Sequence, residues 1–156
     1  MSKASEVALA IDAILKTITV ANGYQTDIGN TVFRGKLKIA EDDVPCVVLD
    51  EGGDKIKADA SNANMPGNIK LKPVLLLQRY HVSGHTTCDT DNPNDAAHLM
   101  LEDIKRAIFG GDRTLGGAVR NIYYVGRDIG RREDGLALVA AVVAFDCEFA
   151  EDLTSP

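Results

Sequence analysis

Three histidines and three cysteines are the side chains of this 156-residue chain best suited to metal or nucleophile chemistry. His81, His85 and Cys88 fall close together and His98 follows, a spacing at which imidazole and thiolate groups could share a zinc ion. The pattern has no CxxC pair and no second cluster, and strand alternation carries His81 and His85 from a strand end into a loop. Surface histidines are expected here, and no metal. Cys46 and Cys147 sit in apolar runs, where a free thiol packs as a small hydrophobe, and no disulfide framework is expected.

The stretch Gly29 to Lys36 offers glycines and a lysine, as a phosphate loop does. It has five residues between the glycines, no Ser or Thr after the lysine, and a strand pattern where a helix is needed. Neither GxSxG nor GxGxxG occurs. Carboxylates are plentiful, but none pairs off for acid–base work. The expectation is a protein without catalysis and without a cofactor.

The charges are distributed unevenly. Lys105, Arg106, Arg113, Arg120, Arg127, Arg131 and Arg132 are opposed only by Asp112 and Asp128. Glu41, Asp42, Asp43, Asp50, Glu51, Asp54 and Asp59 are opposed only by Lys55 and Lys57. Two solvated faces would look like this. So would a head-to-tail contact between copies, one patch meeting its complement until the rotation closes a ring. On that second reading Arg113, Arg127, Arg131, Arg132, Glu41, Asp42, Asp43, Asp50 and Glu51 are the interface candidates.

These residues must be held by a scaffold, and its clearest piece is the helix predicted from Pro93. Asn92 suits the N-cap, Pro93 the first turn, and Asp95, Lys105 and Arg106 complement the helix dipole. Ala97, Met100, Leu101, Ile104 and Ile108 make one apolar stripe, and Gly110-Gly111 is expected to end the helix in the left-handed conformation. Ser2 to Ile18 reads as a first helix capped by Ser2 or Ser5, with Val7, Ile11, Ile14, Leu15 and Ile18 on one face. Strands are predicted over Thr31–Lys38, Cys46–Leu49, Lys70–Val82, Val119–Val125 and Leu136–Phe149. The second, four apolar residues in a row, suits a strand covered on both faces. The last has an unbroken apolar face and small alanines, and is expected to be central. Glu51 to Asn68 has no periodicity and almost no bulky apolar residue, so a mobile loop is expected.

Hydrophobic content of 45% and charged content of 26% are ordinary for a globular domain. Two helices and five strands in this order predict an α+β fold. It would be a single two-layer domain, with a mixed, mainly antiparallel sheet and both helices on one face. A net charge of −6 argues against whole-surface binding of nucleic acid. No apolar run is long enough to span a bilayer, and Glu6 and Asp12 interrupt any signal-peptide core, so a cytoplasmic product is expected.

One succession goes beyond fold class. The helix end Asp103-Ile104-Lys105-Arg106-Ala107-Ile108 is followed by Asp112-Arg113-Thr114-Leu115-Gly116-Gly117 and a Tyr-rich strand. Gly126-Arg127, the Arg131-Arg132-Glu133-Asp134-Gly135 turn and a long apolar strand complete it. Upstream come Gly23-Tyr24, Ile28-Gly29, Val32-Phe33-Arg34-Gly35 and Asp42-Asp43-Val44-Pro45. This order resembles the tail terminator (tail completion, minor tail protein U-like) proteins of long-tailed bacteriophages, over most of the chain except Glu51 to Asn68. The resemblance implies a homohexameric ring in the virion, assembled in the host cytoplasm at the head-proximal end of the tail. It would cap the tail tube, stop its polymerisation and offer a surface to the head–tail connector. DNA would pass through without specific binding. A neck or connector ring is the alternative, and a small-ligand binding domain or enzyme a more distant one.

Overall fold

The computed structural model describes residues 1–57, 73–89, 91–130 and 137–155. In chain order the elements are α1 (Lys3–Leu15), β1 (Val32–Arg34), β2 (Cys46–Ile56), β3 (Val74–Thr87), α2 (Pro93–Phe109), β4 (Asn121–Ile129) and β5 (Leu138–Glu151). The strands form one sheet in the order β1-β2-β3-β5-β4; β1 runs parallel to β2 and every other pair is antiparallel. The fold is α+β: a five-stranded mixed sheet with both helices on one face.

Period-two alternation sorts the side chains of the long strands. The Tyr80↔Phe145, Val82↔Val143 and Gly84↔Ala141 pairs face the helices and join the core, while Arg79↔Asp146, His81↔Ala144 and Ser83↔Val142 face away. Cys46, Val47, Val48 and Leu49 are all buried, as four consecutive apolar residues require. β5 lies between β3 and β4, so it is an interior strand, and its Ala141 lies across from Gly84. Helix α2 packs over this point: a Cβ on Gly84 would sit 2.9 Å from the Met100 sulfur and 3.2 Å from its Cβ, so any larger residue would require Met100 to move.

The capping of α1 follows the sequence, with the Ser2 hydroxyl accepting from the Ser5 N–H. The ends of α2 do not. Asn92 stands at the N-cap position, but its side chain makes no capping hydrogen bond. Gly110 has φ −81°, right-handed rather than the expected left-handed, and still donates to the Arg106 carbonyl at 2.8 Å. A Cβ there would run into that carbonyl oxygen, so close approach, not positive φ, accounts for the glycine. The left-handed residues lie further on, at Leu115, Gly116 and Gly117.

Strand boundaries also shift, among them β4, which runs Asn121–Ile129 rather than Val119–Val125, and β5, which runs to Glu151 rather than Phe149. β1 is only Val32–Arg34, and Gly35, at φ 68°, turns the chain out of the predicted Thr31–Lys38 strand. β2 continues through Ile56, which corrects the expected loop over its first part. A bulge between Glu51 and Asp54 breaks the alternation at Gly52-Gly53, yet Asp54, Lys55 and Ile56 pair with Gln78, Leu77 and Leu76. The remainder of that expected loop, 58–68, lies outside the described residues. β3 begins at Val74 and runs past Val82 to Thr87 because its whole length pairs with β5.

Candidate functional site

The histidines and cysteines are spread over several elements: His81 and His85 on β3, Cys46 across from His85 on β2, Cys147 on β5, Cys88 just after β3 and His98 on α2. His81 and His85 lie four residues apart on β3, roughly 13 Å along the strand, too far to share one ion. The His85 Nε2 instead lies 2.9 Å from the Ser83 hydroxyl. Burial pushes its pKa below the ordinary histidine value, against a smaller opposing effect of Asp50. Cys88 is half-buried against the core and His98 is exposed on α2. Among the described residues no group of three His, Cys, Asp or Glu side chains converges. Burial raises the thiols of Cys46 to about 11 and Cys147 to about 12, so both stay protonated and unreactive near neutrality.

Where polar groups are buried, they are engaged structurally. The carboxylate of Asp103, 1% exposed on α2, accepts from the Gln25 N–H at 3.1 Å, the Thr26 N–H at 2.8 Å and the Thr26 hydroxyl at 2.6 Å. Arg106, one turn on, donates to the Gly23 carbonyl at 2.8 Å and lies 4.6 Å from the Tyr24 ring centre. Together they clamp the connection after α1 onto α2, a role no local sequence signal announced. On the face away from the helices, Lys57 reaches over β3 to ion-pair with Glu148, which also accepts from the Tyr123 hydroxyl at 3.1 Å. Burial of Glu148 would raise its pKa, but the bonds from Lys57 and Tyr123 outweigh it and leave the carboxyl low. A shallow, open recess on the same face is lined by His81, Gly126, Arg127, Asp128, Val142 and Ala144. The Asp128 carboxylate there accepts from the next backbone N–H, at 2.8 Å.

The topology places the acidic and basic blocks on different sides of the sheet, each interspersed with opposite charges: Arg34, Lys38 and Lys55 on the acidic side, Asp112 and Asp128 on the basic side. Asp50 and Glu51 lie on β2, and exposed Glu41 and Asp42 on the turn just before it, at the β1–β2 side of the sheet. Exposed Arg113, Arg120 and Arg127 lie on or just before β4, the opposite edge strand. Not all of these are free for a partner. Arg113 donates to the Ile122 carbonyl at 2.9 Å and staples its loop to β4. Glu51 pairs with Arg34 at 2.9 Å, and Asp43 pairs with Lys36 at 3.0 Å. Arg131 and Arg132 lie outside the described residues. Glu41, Asp42 and Asp50 on one side, and Arg120 and Arg127 on the other, remain exposed with no ion-pair partner among the described residues.

No protein-family model matches the chain, and no curated protein does. Among solved structures, a chain of the "virion of native gene transfer agent (GTA) particle" overlaps it with a TM-score of 0.47 and 13% identity. The overlap covers 80% of this chain and 81% of that one.

Proposed function

We propose that this chain is a structural protein of a phage-like virion, a subunit of a ring that caps the tail tube and offers the head its joining surface. The observation that supports it most directly is that Glu41, Asp42 and Asp50, on or just before β2, and Arg120 and Arg127, on or just before edge strand β4, lie on different sides of the sheet, exposed and without ion-pair partners among the described residues. A patch and its complement on opposite sides of one subunit cannot make a two-fold contact with themselves. Repeated head to tail, they close a ring or run on as a filament. The resemblance to tail terminators points to closure, in a hexamer. The role is mechanical and requires no bound group: one ring surface matches the last tube ring, the other meets the connector. An acidic lumen wall would let DNA pass without gripping it.

The test is assembly itself. Purified chain should form closed rings visible by electron microscopy, and reversing Arg120 and Arg127 to Glu should leave the monomer folded while weakening rings, most strongly at low salt. Reversal of Glu41 and Asp42 to Lys in the same chain should restore part of the assembly. In particles carrying the charge-reversed chain, overlong tails support the terminator role, whereas normal tails without heads would move it to the neck layer. A chain that stays monomeric at every salt concentration would refute the ring.

A further inference from the structure

Both edges of the sheet leave backbone without a partner strand among the described residues. β4 is the outermost strand on one side. On the other, β1 pairs only with Val47–Leu49, so β2 runs on from Asp50 to Ile56 with no strand outside it. A row of free N–H and C=O groups is a template for a strand of another molecule. The open part of β2 is broken up: its ladder to β3 slips between Glu51 and Asp54, at Gly52-Gly53, and exposed Asp54 and Lys55 follow. β4 is longer, and its edge is treated differently.

The Gly130 N–H reaches the Ala140 carbonyl of β5 at 2.8 Å, so by the alternation of an antiparallel ladder the Ile129 N–H points away from β5. It donates instead to the carboxylate of the residue before it, Asp128, at 2.8 Å. The same contact recurs near the start of the strand, where the Ile122 N–H donates to the Asn121 Oδ1 at 2.9 Å. Between them Val125 is bulged, since Tyr124 pairs with Phe145 and Gly126 with Ala144. A side chain bonded to the next backbone N–H is ordinary in a turn or a cap. Here the two contacts stand at either end of an edge strand, with the bulge between them.

We infer that Asn121 and Asp128 guard the β4 edge against strand addition, each filling a backbone donor of that edge with its own side chain, while the bulge keeps the middle from lying flat. An added strand would have to place a carbonyl oxygen where the Asp128 or Asn121 oxygen already stands, and two acceptors repel. Copies of this chain are thereby kept from joining sheet to sheet at β4, and any contact there must be made by side chains. The inference does not depend on the ring reading: a chain that forms rings and a chain that stays monomeric both need this edge closed.

A cross-link at the middle of the strand tests it. Two β4 edges paired antiparallel over Asn121–Ile129 would bring Val125 of one copy beside Val125 of the other, so Val125→Cys in a Cys88→Ser background reports their pairing. With both guards intact, mild oxidation should leave this chain almost entirely uncross-linked. Adding Asn121→Val and Asp128→Val removes the acceptors and supplies strand-forming residues, and should raise the covalent dimer roughly tenfold or more. Each valine alone should give part of that rise, so the result does not hang on the doubly altered chain folding. The exchange Asn121→Asp with Asp128→Asn keeps an oxygen at both places and should behave as the guarded chain does. A probe that cross-links freely with both guards intact would overturn the inference. So would folded valine variants, by circular dichroism, that cross-link no more than the guarded chain, or an exchanged chain that cross-links as readily as the valine one.

Discussion

On the helix side of the sheet, Tyr80 stacks on Phe145 at 5.8 Å, Phe109 meets Phe145 edge-on at 6.1 Å, and Val82, Val143 and Ile104 fill the space between. On the far side, Arg79 holds Asp146 at 2.6 Å, Lys57 holds Glu148 and His85 leans on Ser83. The same strands make both surfaces, one residue out of phase. The first surface is held by packing, which tolerates no charge and fixes where α2 lies. The second is held by cross-strand polar pairs, which stay half wet and add little energy each. Stability thus belongs mainly to one face, while the other tunes register and responds to solvent conditions.

The comparison breaks most visibly if the packed face accepts a charge. Ile104 is fully buried, so Ile104→Asp should cost several kcal/mol against a total stability of roughly 5–15 kcal/mol and leave no folded protein. Normal circular dichroism with a cooperative melt would show that the core is not organised around α2. A smaller effect is expected at Asp103, a buried carboxylate of α2 held by hydrogen bonds rather than by packing. Asp103→Ala strips the acceptor from the Gln25 and Thr26 donors and should destabilise by roughly 1–3 kcal/mol. Faster hydrogen exchange should appear at residues 23–27 while the sheet stays protected; uniform loss of protection would mean that the clamp is not local.

The smallest effect belongs to the far face. His85 has a pKa depressed in the folded state below its ordinary value of 6.5, chiefly by burial. The unfolded chain therefore binds the proton more readily, so the stability tied to neutral His85 is complete above pH 6.5 and falls as pH drops below it. Thermal melts between pH 7.5 and 5.5 should show this decline, and His85→Gln should flatten it. An identical slope in the variant would assign the decline to other groups.

How much of this was legible differs along the chain for physical reasons. β5 and α2 announce themselves because each needs only its own periodicity: the Val139-to-Phe149 face and the Ala97-to-Ile108 stripe are both where alternation and 3.6-residue spacing put them. β2 past Glu51 was illegible because a bulge at two glycines breaks the phase while the ladder to β3 continues. The Asp103 clamp joins residues far apart in sequence, so no local pattern encodes it. The charge blocks could be read from composition, but their placement on opposite edges depends on the strand order. The alternation of Thr31 to Lys38 places Leu37 in a strand, but Gly35, at φ 68°, turns the chain out of it after Arg34.

The ladder between β3 and β5 has a consequence for how the chain comes off the ribosome. Its pairs, from Val74↔Glu151 to Thr87↔Leu138, connect segments that flank all of α2 and β4. Nothing in that ladder can form until Leu138–Glu151 has been synthesised, and closing so long a loop is entropically slow. Until then β3 has β2 on one side and a bare edge on the other, and α2, already complete, has only part of the surface it will finally cover. The last strand to appear is the one that closes the sheet on both sides at once.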